Sequence, residues 1–184
     1  MKFINNSNDL SKHLDISIIK DVLIKNISID TRTIKKNALF IAINGINFNG
    51  NDFVEDAFKK GASIAIVDDK MFLKTKDKRI IYVKNSIQAL KKISKSIIRS
   101  YQGKIICITG SNGKTSTTNI IASVLKSSSK TISNFNNEIG VPLSIMNASS
   151  KSKNIVLEIG ASKFNDINYL SKIIQPSIGV ITNI

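Results

Sequence analysis

The sequence predicts an α/β fold in two parts: a small N-terminal α/β module over residues 1–84, then a parallel-sheet domain over residues 85–184 that stops short at its C-terminus. Three observations carry this. Apolar runs of strand length alternate with stretches of helical periodicity, the pattern of parallel strands joined by helices. The run Ile105-Ile106-Cys107-Ile108 passes straight into a Gly-containing turn and then into a helical stretch near Thr115. A long amphipathic stretch from Ser86 divides the two halves, which sets the boundary near Lys84-Asn85.

The elements follow in order. Residues 7–14 place Leu10 and Leu14 four apart, on one face of a short helix. His13 on that helix reads as a solvated side chain rather than a ligand. Residues 26–29 and the run Ala38-Leu39-Phe40-Ile41-Ala42-Ile43 read as strands. The polar, Gly-containing stretch 44–51 reads as a loop. A helix is expected over 52–60, with Phe53, Ala57 and Phe58 inward and Gly61 just past its end. Residues 63–67 and 79–83 add two strands. Ser86 reads as the N-cap of a helix carrying Ile87, Leu90, Ile93 and Ile97 inward. Beyond the strand-turn-helix unit, strands are expected over 130–133, 154–159 and 177–182, with helices over 142–148 and 165–174. No internal repeat or low-complexity linker interrupts them. The chain stops at Ile184, just after a strand whose carboxyl end would border a ligand site, so a fragment or a shortened gene product is expected.

Composition narrows the function classes. With 184 residues the chain can bury one or two real cores. Its 42% hydrophobic content excludes a disordered chain. No apolar run approaches a bilayer span, so no membrane insertion is expected. The start, Met1-Lys2-Phe3-Ile4-Asn5-Asn6, lacks the apolar core of a secretion signal. The one cysteine, Cys107, rules out an internal disulfide and reads as a buried small apolar residue. These features fit a cytoplasmic protein, expected to be a monomer. The net charge of +14 invites a nucleic-acid reading. Yet the lysines are scattered, few aromatics interleave with them, and there is no Trp to stack on bases. No nucleic-acid partner is expected; the positive field suits small anionic substrates such as nucleotides instead.

Thr109-Gly110-Ser111-Asn112-Gly113-Lys114-Thr115-Ser116 is the stretch with the clearest chemistry. It ends in the Gly-Lys-Thr of a phosphate-binding P-loop. Gly110 and Gly113 can adopt backbone angles closed to other residues, so successive N–H groups can turn toward an anion. The helix that follows aims its positive end at the same place. Lys114 can reach the β- and γ-phosphates, and the Thr115 hydroxyl can ligate Mg²⁺. A strict match fails, because the general pattern asks for Gly where Ile108 stands. The bland alternative is a strand-to-helix turn that merely contains Gly-Lys-Thr.

Three further groups could carry chemistry. Glu158 ends the apolar run Ile155-Val156-Leu157, a place from which a carboxylate can hold Mg²⁺ or simply face solvent. Asn136 and Asn137, in Asn134-Phe135-Asn136-Asn137-Glu138-Ile139-Gly140-Val141-Pro142, offer amides that both donate and accept, although an ordinary Asn-rich turn explains them as well. In Ser28-Ile29-Asp30-Thr31-Arg32, Arg32 could grip a diphosphate bidentately or pair with Asp30 on the surface.

Together these segments resemble the Mur ligases, the ATP-dependent amide-forming enzymes of peptidoglycan precursor synthesis. Residues 28–32 followed by 38–45 look like the family's N-terminal substrate module. Residues 108–115 are similar to its P-loop, which tolerates a residue other than Gly at the Ile108 position. Residues 136–143 look like the loop of the branch that adds D-alanyl-D-alanine, and Leu157-Glu158-Ile159-Gly160-Ala161 resembles the segment carrying a metal-binding Glu. The resemblance implies ATP and Mg²⁺ as cofactors, with UDP-N-acetylmuramoyl-tripeptide and D-alanyl-D-alanine as small-molecule substrates. It implies Lys114 as the catalytic cation, residues 109–116 on ATP, Thr115 and Glu158 on the metal, and Ser28, Arg32, Asn136 and Asn137 on the UDP-sugar-peptide. Asn49 and Asn51 stand where the family commonly has Asp and His. The family's later His, its carbamylated lysine and its C-terminal domain have no counterpart in these residues, so the 184 residues alone are expected to be inactive. A sister ligase adding the third amino acid, a non-catalytic remnant or half of a split ligase, and an unrelated P-loop NTPase stay open as alternatives.

Overall fold

Parallel strand pairing organises both halves of the chain. The structure, a computed structural model, describes every residue except Met1, Ile19 and Ile46. Met1 of the N-terminal stretch and Ile46 of the expected loop therefore lie outside the described residues. The chain divides into two compact units. One is Ile4–Ile93; the other is Ser94–Ile184 joined by Lys2 and Phe3.

In the first unit, α1 (Ser7–Leu14) buries Leu10 and Leu14 and is capped by Asn6, whose side chain accepts the Asp9 N–H. Strands β1 (Asn26–Ser28), β2 (Ala38–Ile41), β3 (Ala62–Val67) and β4 (Ile80–Tyr82) lie side by side in that order. All three pairings are parallel. Every residue of β2 is buried, as a continuous apolar run in a covered parallel sheet requires. Helix α2 (Val54–Lys59) makes the crossover from β2 to β3. Phe40, Ala42, Val54, Ala57, Ala65 and Val67 form one core cluster.

The expected helix over 52–60 instead begins as a 3-10 turn, Gly50–Phe53, opened by Asn49, whose side chain accepts the Asn51 N–H. That tighter turn rotates Phe53 outward to 40% exposure, and Val54 takes the inward place assigned to it. Phe58 is half-buried against the core cluster.

Helix α3 (Ser86–Ser100) carries fully buried Leu90, Ile93 and Ile97, while Ile87 is half-buried. Its cap is Asn85 rather than Ser86: Asn85 Oδ1 accepts the Gln88 N–H at 2.8 Å. Ser86 is already helical, and its N–H donates to Asp68 Oδ2 at 3.0 Å.

The second unit has strands β5 (Lys104–Thr109), β6 (Ser128–Lys130), β7 (Asn154–Glu158) and β8 (Ile178–Ile181), ordered β6-β7-β5-β8 and parallel throughout. Helices α4 (Lys114–Val124), α5 (Gly140–Asn147) and α6 (Asp166–Ile174) lie between them in sequence. Ile106, Ile108 and Val156 form a core under Ile121, Ala122 and Leu125 from α4 and its end. Cys107 is buried in β5, and burial pushes its thiol up to about 12. Phe3 packs edge-on to Tyr101, with ring centroids 5.8 Å apart.

The strand expected over 130–133 lies earlier, at Ser128–Lys130, because Ser128 pairs opposite Asn154. After Thr131 the chain leaves the ladder. The Ile132 N–H turns to Ser144 Oγ at 3.1 Å, and Ser133 takes a φ of 49°.

Candidate functional site

Three neighbouring strands deliver the candidate residues to one edge of the second sheet. Ile108 pairs opposite Glu158 and Thr109 opposite Ile181, so β7, β5 and β8 end at the same level. Ligands of open α/β sheets bind beyond such carboxyl ends.

The turn leaving β5 depends on its two glycines, with φ of 141° at Gly110 and 78° at Gly113. Helix α4 begins at Lys114, and the first backbone bond back into it runs from the Thr117 N–H to Gly113 O, 2.9 Å. The N–H groups of Lys114, Thr115 and Ser116 thus have no acceptor inside the helix and mark its positive end. Lys114 Nζ folds over the turn and donates to Gly110 O at 2.5 Å and Ser111 O at 3.1 Å. Ser111 departs from the expected pattern of inward amides: its N–H donates to Asn183 O at 3.0 Å, and its hydroxyl to Asn183 Oδ1 at 2.6 Å.

Glu158 is not solvated; it is 4% exposed. Thr115 Oγ1 donates to its Oε2 at 2.7 Å, and Asn136 Nδ2 donates to its Oε1 at 2.8 Å. Its own N–H donates to Thr131 Oγ1 at 2.7 Å. A buried carboxylate that, among the described residues, accepts from the neutral Thr115 hydroxyl and Asn136 amide is, with that hydroxyl, a hard oxygen donor set suited to Mg²⁺. Mg²⁺ is commonly held by one or two protein oxygens plus substrate phosphates. Among the described residues no cluster of three or more His, Cys, Asp or Glu offers a fuller cage for a metal.

The four residues assigned to the UDP-sugar-peptide are otherwise engaged. Asn136 turns its amide onto Glu158. Asn137 Oδ1 accepts the N–H groups of Ile139 at 3.1 Å and Gly140 at 2.8 Å, so it shapes the entry to α5. In the first unit, the Ser28 hydroxyl is buried in its own turn, donating to Asp30 O at 2.9 Å and accepting the Asp30 N–H at 3.0 Å. Arg32 has a side chain 85% exposed and pairs with Asp30 at 2.7 Å. That guanidinium holds the Asp30 carboxyl below its ordinary value.

Asn51 is buried and sits at the centre of a partly buried network. Its Oδ1 accepts the Asp68 N–H at 3.1 Å, and its Nδ2 donates to Asn49 Oδ1 and Asp68 Oδ1, both at 2.9 Å. Thr131, Thr182 and Asn183 were missed in the sequence. Thr182 and Asn183 follow an apolar strand directly, which is the positional signal that could have found them.

Two family models match the chain: Mur ligase middle domain over residues 108–184, and Mur ligase family, catalytic domain, over residues 23–97. The chain belongs to the Mur ligase family. The resemblance carried by its motifs is therefore sound. Among its relatives is the UDP-N-acetylmuramoyl-tripeptide–D-alanyl-D-alanine ligase of Buchnera aphidicola subsp. Baizongia pistaciae, 40% identical over 169 residues. That match covers 90% of this chain and 36% of the relative. The enzyme of the same name from Bacillus subtilis is 34% identical over 168 residues, covering 90% of this chain and 37% of that one. This Mur ligase chain thus spans little more than a third of the length of the curated relatives it matches. Among solved structures, the MurF ligase from Thermotoga maritima in complex with ADP is 33% identical with a TM-score of 0.71, covering 86% of this chain and 37% of that one. A MurF from Acinetobacter baumannii is 28% identical with a TM-score of 0.76, covering 94% and 39%. The α/β fold with parallel sheets is shared with these Mur ligases.

Proposed function

We propose that this Mur ligase chain is the nucleotide- and substrate-binding part of an enzyme that uses ATP to join D-alanyl-D-alanine to UDP-N-acetylmuramoyl-tripeptide. The reading places the work in peptidoglycan precursor synthesis, in the cytoplasm, in a monomer. One observation carries it: Thr115 of a P-loop donates to buried Glu158 at 2.7 Å, in a chain 40% identical to a ligase of that name. Residues 1–84 serve the UDP-linked substrate and residues 85–184 serve ATP.

In this reading the tripeptide's terminal carboxylate attacks the γ-phosphorus, the bond to the β-phosphate oxygen breaks, and ADP leaves. The amine of the dipeptide then attacks the acyl carbon, expels phosphate and forms the amide. Both steps gather negative charge near the loop. Lys114 supplies an ammonium there, and the amides at the start of α4 supply fixed dipoles that need no rearrangement. Thr115 and Glu158 would hold Mg²⁺, which screens the phosphates and makes the γ-phosphorus a better electrophile. Ser28, Arg32, Asn136 and Asn137 stay assigned to the substrate's side of the reaction. Arg32 can engage a diphosphate only by leaving Asp30, and Asn136 contributes through Glu158.

Calorimetry with UDP-N-acetylmuramoyl-tripeptide and with ADP tests the proposal. Binding of both is expected. Binding of ADP alone would replace the ligase reading with that of a non-catalytic nucleotide-binding remnant of the family. The 184 residues correspond to about a third of the relatives' length, so they are proposed to bind without turnover. Dipeptide-dependent phosphate release by this chain would overturn that part.

A further inference from the structure

We infer that Thr182 is a positioning residue for the phosphate loop: its hydroxyl and backbone hold the peptide groups at both ends of the loop so that their N–H groups face the anion side. The inference rests on the nucleotide-site reading and adds a residue to it.

Thr182 follows β8, the strand paired with β5 immediately before the loop. Its N–H donates to Thr109 O at 2.9 Å. Its hydroxyl lies 3.2 Å from the same oxygen and donates to Asn112 O. One residue therefore ties down the carbonyls at both ends of the turn. In a trans peptide the C=O and the following N–H point in opposite directions. Drawing Thr109 O and Asn112 O toward Thr182 turns the N–H groups of Gly110 and Gly113 the other way. Asn183 does the reverse at the middle of the loop. It takes the Ser111 N–H, which leaves Gly110 O on the opposite side, where Lys114 Nζ finds it.

The fit is close enough to exclude a side chain. A Cβ on Gly110 would lie 2.3 Å from Thr182 Oγ1 and 2.8 Å from Asn183 O. The loop is thus seated on the end of β8. An inward C=O repels the charge that an inward N–H attracts, and in this loop Gly110 O, the carbonyl left on that side, is covered by Lys114 Nζ. Removing the hydroxyl leaves the Asn112–Gly113 peptide free to turn its oxygen inward.

The test compares ADP binding by the unaltered 184-residue chain, Thr182→Val and Thr182→Ser, followed by ligand-observed phosphorus NMR with millimolar ADP. Valine keeps the volume and loses the donor; serine keeps the donor and loses the methyl. The valine form should bind ADP about tenfold more weakly, the size of one lost hydrogen bond, and the serine form should bind as the unaltered chain does. Equal binding by the valine form overturns the inference. So does a serine form as weak as the valine form, because packing of the methyl would then be the cause. Should the valine form not fold, Thr182→Ala takes its place with the same expectation. If neither folds, Thr182 serves the fold rather than the loop, and the inference is overturned. No ADP binding by the unaltered chain is a separate result, which removes the nucleotide-site reading itself.

Discussion

Lys114 reaches back over its own loop and rests on two carbonyl oxygens, Gly110 O and Ser111 O. Both oxygens border a turn at a sheet edge, so they can be rehydrated when the ammonium moves to an incoming phosphate. The charge is therefore held in place without being used up. Lys114→Ala should cost about 1.5–3 kcal/mol of ADP affinity, the range for hydrogen bonds to charged groups. Calorimetry on the variant should show that loss beside an unchanged thermal unfolding curve, and equal affinity would argue against the loop assignment. The place of Lys114 at the head of α4 was legible because Gly-Lys-Thr is contiguous and the strand and helix around it announce themselves. The environment of Glu158 was not. A strand-terminal Glu reads equally well as solvated or buried, and only Thr115 and Asn136 closing over it decide between them.

At the scale of elements, the apolar strands β2, β3, β5 and β7 could be read directly, since buried parallel strands are written as continuous apolar runs. Strand β6 could not. Ser128–Lys130 is polar, and it is held by its backbone pairing with β7 and by serine hydroxyl bonds to residues 125, 149 and 152 rather than by an apolar run. The cap of α3 moved from Ser86 to Asn85 because both residue types cap helices and a third group, Asp68, claims the Ser86 N–H. The Asn51 network shows the same dependence on distant partners. It ties the turn after β2 to residues 68 and 69, which follow β3. Asn51→Ala would leave the partly buried N–H groups of Asp68 and Asp69 without that acceptor. A loss of about 1–3 kcal/mol is expected for each group left unsatisfied, read as a lower urea midpoint. A midpoint that does not move would show that water replaces the amide.

For the whole molecule, the +14 charge is spread along the chain rather than gathered in one motif. A diffuse field of that sign raises the local concentration of any polyanion and is screened over about 8 Å at physiological salt. ADP affinity should therefore fall as salt rises from low to physiological strength, and a titration at two ionic strengths measures it. A flat response would confine the attraction to the loop itself. By itself the sequence determined the fold class, the order of elements and the glycine-containing turn between β5 and α4, because each is encoded by residues adjacent in the chain. Only the tertiary structure decided which side chains meet. Glu158 lies 43 positions from Thr115, Thr182 lies 70 from Asn112, and Asp68 lies 17 from Asn51. Such pairs are set by strand order and register, which emerge when the sheets close and which no local periodicity records.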